Sequence, residues 1–236
     1  MTLVMFDILM ALVIKYVKHD RKSEAHRMRV TKAKAARNRE EILTSAARLF
    51  REAGIGATGV DSIAQDAGLT HGGLYSQFGS KQEIVAEAVG FALAKSKRAW
   101  RRTAQDKPGS KALSDIVTYY LSRAHRDSAG RGCLIAALSC DIAREPAAVR
   151  QAFTSGLKDA LGFLAGLMPD DTRARRDEEA IAAFACMVGA VILARAVNDE
   201  ALSRRILKSA ARRVERDAIV RGPNRRSLRA SARTKP

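Results

Sequence analysis

Apolar residues recur along this chain at three- and four-residue intervals, and alternating runs are missing, so the pattern predicts helices throughout and no sheet. Over residues 39–53, Ile42, Ala46, Leu49, Phe50 and Ala53 share one face, and Gly54 ends the stretch. Two short helices are predicted between Thr58 and Lys81. Val60, Ile63, Ala64 and Ala67 repeat at helical spacing, and Gly68 stands where a helix end needs a left-handed residue. Thr70 is placed to cap a second helix that carries Leu74, Tyr75 and Phe78. This is the pattern of a helix-turn-helix, whose second helix enters the DNA major groove. Thr70, His71, Gly72 and Gly73 would then meet base edges, and the two glycines would let the backbone come close to a duplex.

A long helix is predicted from Lys81 through Ala86, Val89, Leu93 and Trp100 to about Thr103, followed by a loop over residues 107–110 marked by Pro108 and Gly109. Ser80 and Lys81 open that helix, where free N–H groups attract phosphate. Further helices are expected at residues 111–127, 133–144, 146–168, 173–198 and 200–220. In the penultimate one Ile181, Phe184, Ala185, Val188, Val191 and Ile192 form an apolar face flanked by Gly189 and Ala190. Small residues let another helix approach, either within the chain or from a second copy. The chain divides into a basic extension (1–36), a helix-turn-helix domain (37–82), a helical domain (83–220) and a basic tail (221–236).

Composition sharpens this picture in three ways. Aromatics make up only 5% of the 236 residues, which favours close-packed helices. The formal charge is +17, of which residues 15–39 contribute +8 and residues 221–236 contribute +6. Such arms either track phosphates or serve as solvated tails. Cys133, Cys140 and Cys186 form no C-x-x-C pair, which argues against a disulfide framework or structural zinc and fits a reducing cytoplasm. Residues 1–17 are apolar but too short to span a bilayer and lack a preceding basic region, so a start of translation at Met28, an accessory amphipathic helix and an anchor are weighed in that order.

Gly54 to Gly59 reads G-I-G-A-T-G and matches a dinucleotide-binding fingerprint letter for letter. That loop needs a strand before it and an acid about 20 residues on, and neither is present. His19, His26, His71 and His125 are scattered, with no triad or metal spacing. No catalytic residue, metal or cofactor is expected. An enzyme using this glycine run, and a non-specific nucleic-acid-binding protein driven by the basic arms, remain the competing classes.

The residues from Arg39 to Gly54, the run T-x-V-x-x-I-A-x-x-A-G at Thr58 to Gly68, and G-x-L-Y-x-x-F-x-S-K at Gly72 to Lys81 together resemble the TetR family of bacterial transcriptional regulators. Gly59 replaces the usual Ser or Thr cap, and Gln77 replaces a common His. The resemblance implies an all-α protein with an N-terminal three-helix DNA-binding domain and a C-terminal effector-binding and dimerisation domain. It implies phosphate contacts from Thr58, Tyr75, Gln77 and Lys81, a further DNA contact from Arg37, and a pocket drawn from Trp100, Tyr119, Tyr120, Cys133, Phe153, Phe163 and Met187. It also implies a homodimer through Ile181, Phe184, Val188, Gly189 and Ile192. Its partners would be a double-stranded DNA operator, a second copy and a small effector, with no membrane, and the expected role is a repressor released by that effector. Cys133 follows Gly132 at a helix start beside Arg131, a setting that favours thiolate chemistry towards electrophiles or oxidants, or else simply a small buried residue.

Overall fold

The computed structural model describes residues 32–169 and 172–220. The apolar segment at 1–17, the alternative start at Met28, most of the first basic arm and the tail at 221–236 lie outside the described residues. Among the described residues every regular element is helical. Helix α1 runs to residue 53 and is already helical at residue 32, seven positions before the expected Arg39, because the intervening Lys, Ala and Arg residues favour helix and no Gly or Pro stops them. It buries Ile42, Leu43, Ala46, Ala47 and Phe50. Gly54 then turns the chain at φ 86°.

Helices α2 (Val60–Asp66) and α3 (His71–Tyr75) form the helix-turn-helix. Gly68 adopts φ 67°; its N–H donates to the Gln65 carbonyl (3.1 Å) and that of Leu69 to the Ala64 carbonyl (2.9 Å), which satisfies the carbonyls left open at the end of α2. Helix α4 (Lys81–Ala104), about 36 Å long at 1.5 Å per residue, runs from the motif into the body. It is capped by Ser80, whose Oγ accepts from the Glu83 N–H at 3.1 Å.

The body contains α5 (Gly109–Tyr120), α6 (Arg123–Asp127), a 3-10 turn at Ala129–Arg131, α7 (Leu134–Ile142), α8 (Ala147–Ala165), α9 (Arg173–Ala196) and α10 (Glu200–Val220). The single helix expected over residues 111–127 is two, because the Ser122 hydroxyl accepts from the His125 N–H (3.1 Å) and starts a new helix. Helix α8 lies along α4, and a Cβ at Gly156 would collide with the Leu93 side chain, so glycine sets that approach. Helix α9 pairs with α10 and also meets α8, α7 and α6. One apolar core runs from Ile42 in α1 to Val214 in α10, so the DNA-binding part and the body share a continuous interior.

Candidate functional site

Three arrangements follow from this scaffold: an exposed short helix, a cavity behind it, and an apolar arc on α9. The five-residue α3 is too short to hold itself and depends on its ends and its buried side. At its start Thr70 Oγ1 accepts from the Gly73 N–H (3.1 Å), and on its inner side Leu74 and Phe78 are fully buried. At its end the Arg39 guanidinium donates to the Gln77 carbonyl (2.5 Å), pairs with Glu87 and lies 4.1 Å from the centre of the Phe78 ring. Arg39 thereby ties α1, the end of α3 and α4 together. Arg48 of α1 pairs with Asp66 at the end of α2, which holds the Asp66 carboxyl below the usual carboxylate range.

What α3 leaves outside is Thr70, His71, Gly72 and Tyr75, with Gly73, Gln77 and Lys81 half-buried beside them and Arg37 exposed on α1. The His71 and Tyr75 rings lie 4.8 Å apart, and His71 Nε2 is 3.5 Å from Asp61 Oδ1. Thr58 is a correction. It is only 4% exposed and its hydroxyl donates to the Gly54 carbonyl (2.7 Å), so the side chain closes the turn after α1 and is not offered to phosphate. The glycine run at 54–59 is spent on the same turn: it follows a helix, and the Ile55 N–H donates to Asp141 Oδ2 of α7 (3.0 Å).

Behind the motif a cavity of about 280 Å³ opens between α1, α4, α5, α7 and α9. Trp100, Tyr119, Tyr120 and Cys133 line it as expected. Phe153 and Met187 do not: Phe153 packs partly buried on the core and Met187 is fully buried within it. Phe163 contributes only indirectly, its ring 6.3 Å from that of Trp100. Phe184, expected at the dimer face, is 3% exposed and lines the cavity, with its ring edge-on to Trp100 at 5.7 Å. Arg51, His125 and Gly132 were invisible as pocket residues in the sequence, because only the fold brings α1 and the 3-10 turn to the same wall.

Two hydrogen bonds fix this wall. His125 Nδ1–H donates to the Tyr120 carbonyl (2.6 Å) and its Nε2 accepts from the Cys133 N–H (3.1 Å), so its partners hold it as the neutral ring. Burial and nearby Arg195 push its pKa down from 6.5, against the opposing effect of the Tyr120 carbonyl. The wall is joined to both ends of the molecule. Arg51 Nε of α1 donates to the Gly130 carbonyl (2.7 Å) in the 3-10 turn. Arg195 of α9 donates to the carbonyls of Arg126 (2.8 Å) and His125 (3.1 Å), and Arg126 bonds Glu200 and Ser203 of α10. The segment beside the cavity therefore sits between the helix that carries the motif and the last two helices.

On α9, Ile181 and Ile192 are exposed at 53% and 41%, and Val188 and Gly189 are half-buried. Leu193 and Leu202 add to the exposed apolar set, which the sequence pattern had not singled out. At about 100° per residue Ile181, Val188 and Ile192 cluster on one arc, whereas Phe184, Met187 and Val191 turn towards the core. The sequence reading had merged two arcs of a helix that is apolar on most sides. By length and composition α9 is apolar enough to cross a membrane, and 33% of its apolar stretch is buried within the chain. Among the described residues no group of three or more His, Cys, Asp or Glu could hold a metal ion.

A helix-turn-helix presented outward from a helical body is the arrangement of a DNA-binding protein that reads the major groove. Residues 42–88 match the family model for bacterial regulatory proteins of the tetR family. An uncharacterised transcriptional regulator of the helix-turn-helix type from Mycobacterium tuberculosis, Rv0196, is 28% identical over 172 residues, spanning 68% of this chain and 86% of the relative. The repressor BepR of Brucella suis is 42% identical over 65 residues, 28% of this chain and 31% of that one. The crystal structure of a TetR transcriptional regulator from Chloroflexus aurantiacus superposes with a TM-score of 0.64 at 23% identity, covering 78% of this chain and 94% of that chain. The helix-turn-helix part of the chain is thus that of the tetR family, and the body behind it shares the fold of TetR regulators.

Proposed function

We propose that this protein is a dimeric repressor of transcription that grips a near-palindromic DNA operator and lets go when a small molecule fills the cavity behind its DNA-binding helix. The observation that carries the reading is α3 itself: its apolar side is buried and its ends are pinned by Thr70 and Arg39, while Thr70, His71 and Gly72 face outward. In the proposed complex Thr70, His71, Gly72 and Gly73 meet base edges, and Arg37, Tyr75, Gln77 and Lys81 meet phosphates. Two copies, joined through the arc of Ile181, Val188, Gly189 and Ile192 on α9, place two such helices one helical turn of DNA apart, about 34–36 Å. A second copy covering that arc also accounts for an apolar helix left half open within one chain. The protein works in the cytoplasm, where the DNA is.

Release requires that the effector bind one arrangement of the two DNA-binding parts better than the other. Moving the population from 1:99 to 99:1 takes about 10⁴-fold discrimination, or roughly 5.5 kcal/mol. The path for it is short: Arg51 lines the cavity and belongs to α1, and Asp141 of α7 holds the turn at Ile55. The test is selection of bound fragments from the source genome, followed by anisotropy on the recovered site. His71→Ala should change sequence preference, whereas Tyr75→Phe should weaken all sequences alike. An unchanged sequence preference in His71→Ala together with an unchanged affinity in Tyr75→Phe would refute the placement of α3.

A further inference from the structure

Within the cavity just assigned to an effector, the charged and polar groups point to one ligand class, and the inference rests on that assignment. Arg51, Lys95, Lys97, Arg102 and Arg131 all line the cavity, and among the described residues no Asp or Glu does. Lys97 is engaged by Asp159 outside the wall (2.6 Å). Arg51 is different from the rim cations. It lies half-buried in the wall, its Nε is taken by the Gly130 carbonyl, and among the described residues no carboxylate pairs with it; the adjacent Glu52 is held by Arg48 (2.5 Å). Burial lowers the Arg51 pKa and outweighs the opposing influence of Cys133 and Glu52, so the guanidinium has lost water without a carboxylate in direct contact to replace it.

The second observation is Tyr120. The residue is 2% exposed and lines the same cavity, and its hydroxyl has no nitrogen or oxygen partner among the described residues, only the weakly bonding Cys133 thiol beside it. Burial raises the phenol well above its ordinary value, so it stays a neutral donor. A buried hydroxyl left with only a thiol beside it is costly unless a stronger acceptor meets it. Cys133 lies near enough to both Arg51 and Tyr120 to act on each electrostatically, which places the two groups on one side of the cavity. Opposite in character are the rings of Trp100 and Phe184, which supply an apolar surface.

We infer that the cavity takes a small aromatic carboxylate, its ring against Trp100 and Phe184 and its carboxylate accepting from the Arg51 guanidinium and the Tyr120 hydroxyl. Because Arg51 sits on α1 and also holds the Gly130 turn, the anion is bound by the residue that joins the motif to the body. The rim cations Lys95, Arg102 and Arg131 draw such anions in and disfavour cationic ligands.

Trp100 is the only tryptophan in the chain and lines the cavity, so its fluorescence reports occupancy directly. The full chain is titrated with phenylacetate, phenylacetamide and 2-phenylethylamine, which share a ring and differ in charge. Phenylacetate is expected to bind roughly tenfold or more tighter than the amide, as a charge-assisted pair implies, with the amine weakest. Arg51→Gln should abolish the preference for the anion while leaving amide binding as a control for folding, Arg51→Lys should keep part of it, and Tyr120→Phe should weaken phenylacetate alone. Amide or amine binding equal to that of phenylacetate would overturn the anion class and leave the effector pocket standing. An Arg51→Gln chain that keeps the preference would overturn it as well. Saturation by none of the three, with specific DNA binding intact, would also overturn it without touching the reading of the protein as a DNA-binding regulator.

Discussion

Gly72 offers a way to separate what stabilises α3 from what lets it meet DNA. It lies in the first turn of a five-residue helix, its φ is not positive, and a Cβ built on it meets nothing within 4 Å. On the isolated protein Gly72→Ala should therefore stabilise, since Ala in a helix is favoured over Gly by roughly 0.5–1 kcal/mol. For a chain of this size that corresponds to a rise in Tm of about 1–4 °C. If the backbone at Gly72 abuts a base pair, the added methyl group has no room in the complex. Overpacking of a close contact costs about 1–3 kcal/mol, which converts to operator binding weaker by roughly 5- to 150-fold. Differential scanning fluorimetry and fluorescence anisotropy on the selected operator measure the two effects on the same sample. Gly162→Ala in α8 is the control, because its Cβ is equally unobstructed and exposed; it should raise Tm and leave DNA binding alone. A Gly72→Ala protein that is more stable and binds the operator as tightly as the parent would refute the close approach of α3 to DNA.

Ile192→Glu places a charge in the exposed arc of α9, and a buried unpaired charge costs several kcal/mol. Light scattering should show monomers at micromolar concentration with near-palindromic binding lost; a persistent dimer would exclude this arc as the interface. His125 carries a depressed pKa, so between its folded value and 6.5 the unfolded chain binds more protons. Stability is then full above 6.5 and falls as pH drops below it, by at most about 1.4 kcal/mol per pH unit for one proton. Urea unfolding across pH 5 to 8 should show this slope flattened in His125→Gln, and an unchanged slope would assign it to other groups. Mild alkylation should modify Cys133 at the cavity wall and lower operator binding of the parent but not of Cys133→Ser; equal loss in both would end any role for that thiol.

The DNA-binding part was legible in the sequence because its determinants are local. Gly68 at positive φ, Thr70 as a cap and the buried Leu74 lie within seven residues of one another, so spacing alone reports them. Thr58 shows where locality fails: a side chain that resembles a phosphate contact is turned inward by the Gly54 carbonyl four residues away. The cavity was half legible. Trp100, Tyr120 and Cys133 carried a chemical signal of their own, but Arg51 read as one of many surface arginines until α1 was placed against the Gly130 turn. Phe184 was misplaced for a geometric reason, since on a helix apolar nearly all round the period does not say which arc faces its own chain. The break at Ser122 was missed because a hydroxyl cap inside an apolar period leaves that period unbroken.

The central claim is that α3 reads DNA sequence in pairs. Its most direct measurement is anisotropy of the full chain on the genome-selected site and on a scrambled duplex of equal length, across a salt titration. The account predicts one dimer per site and a preference of about 10³-fold or more that persists at physiological salt. Equal affinity for both duplexes, vanishing together as salt rises, would mean that the basic arms alone hold the DNA and would contradict it.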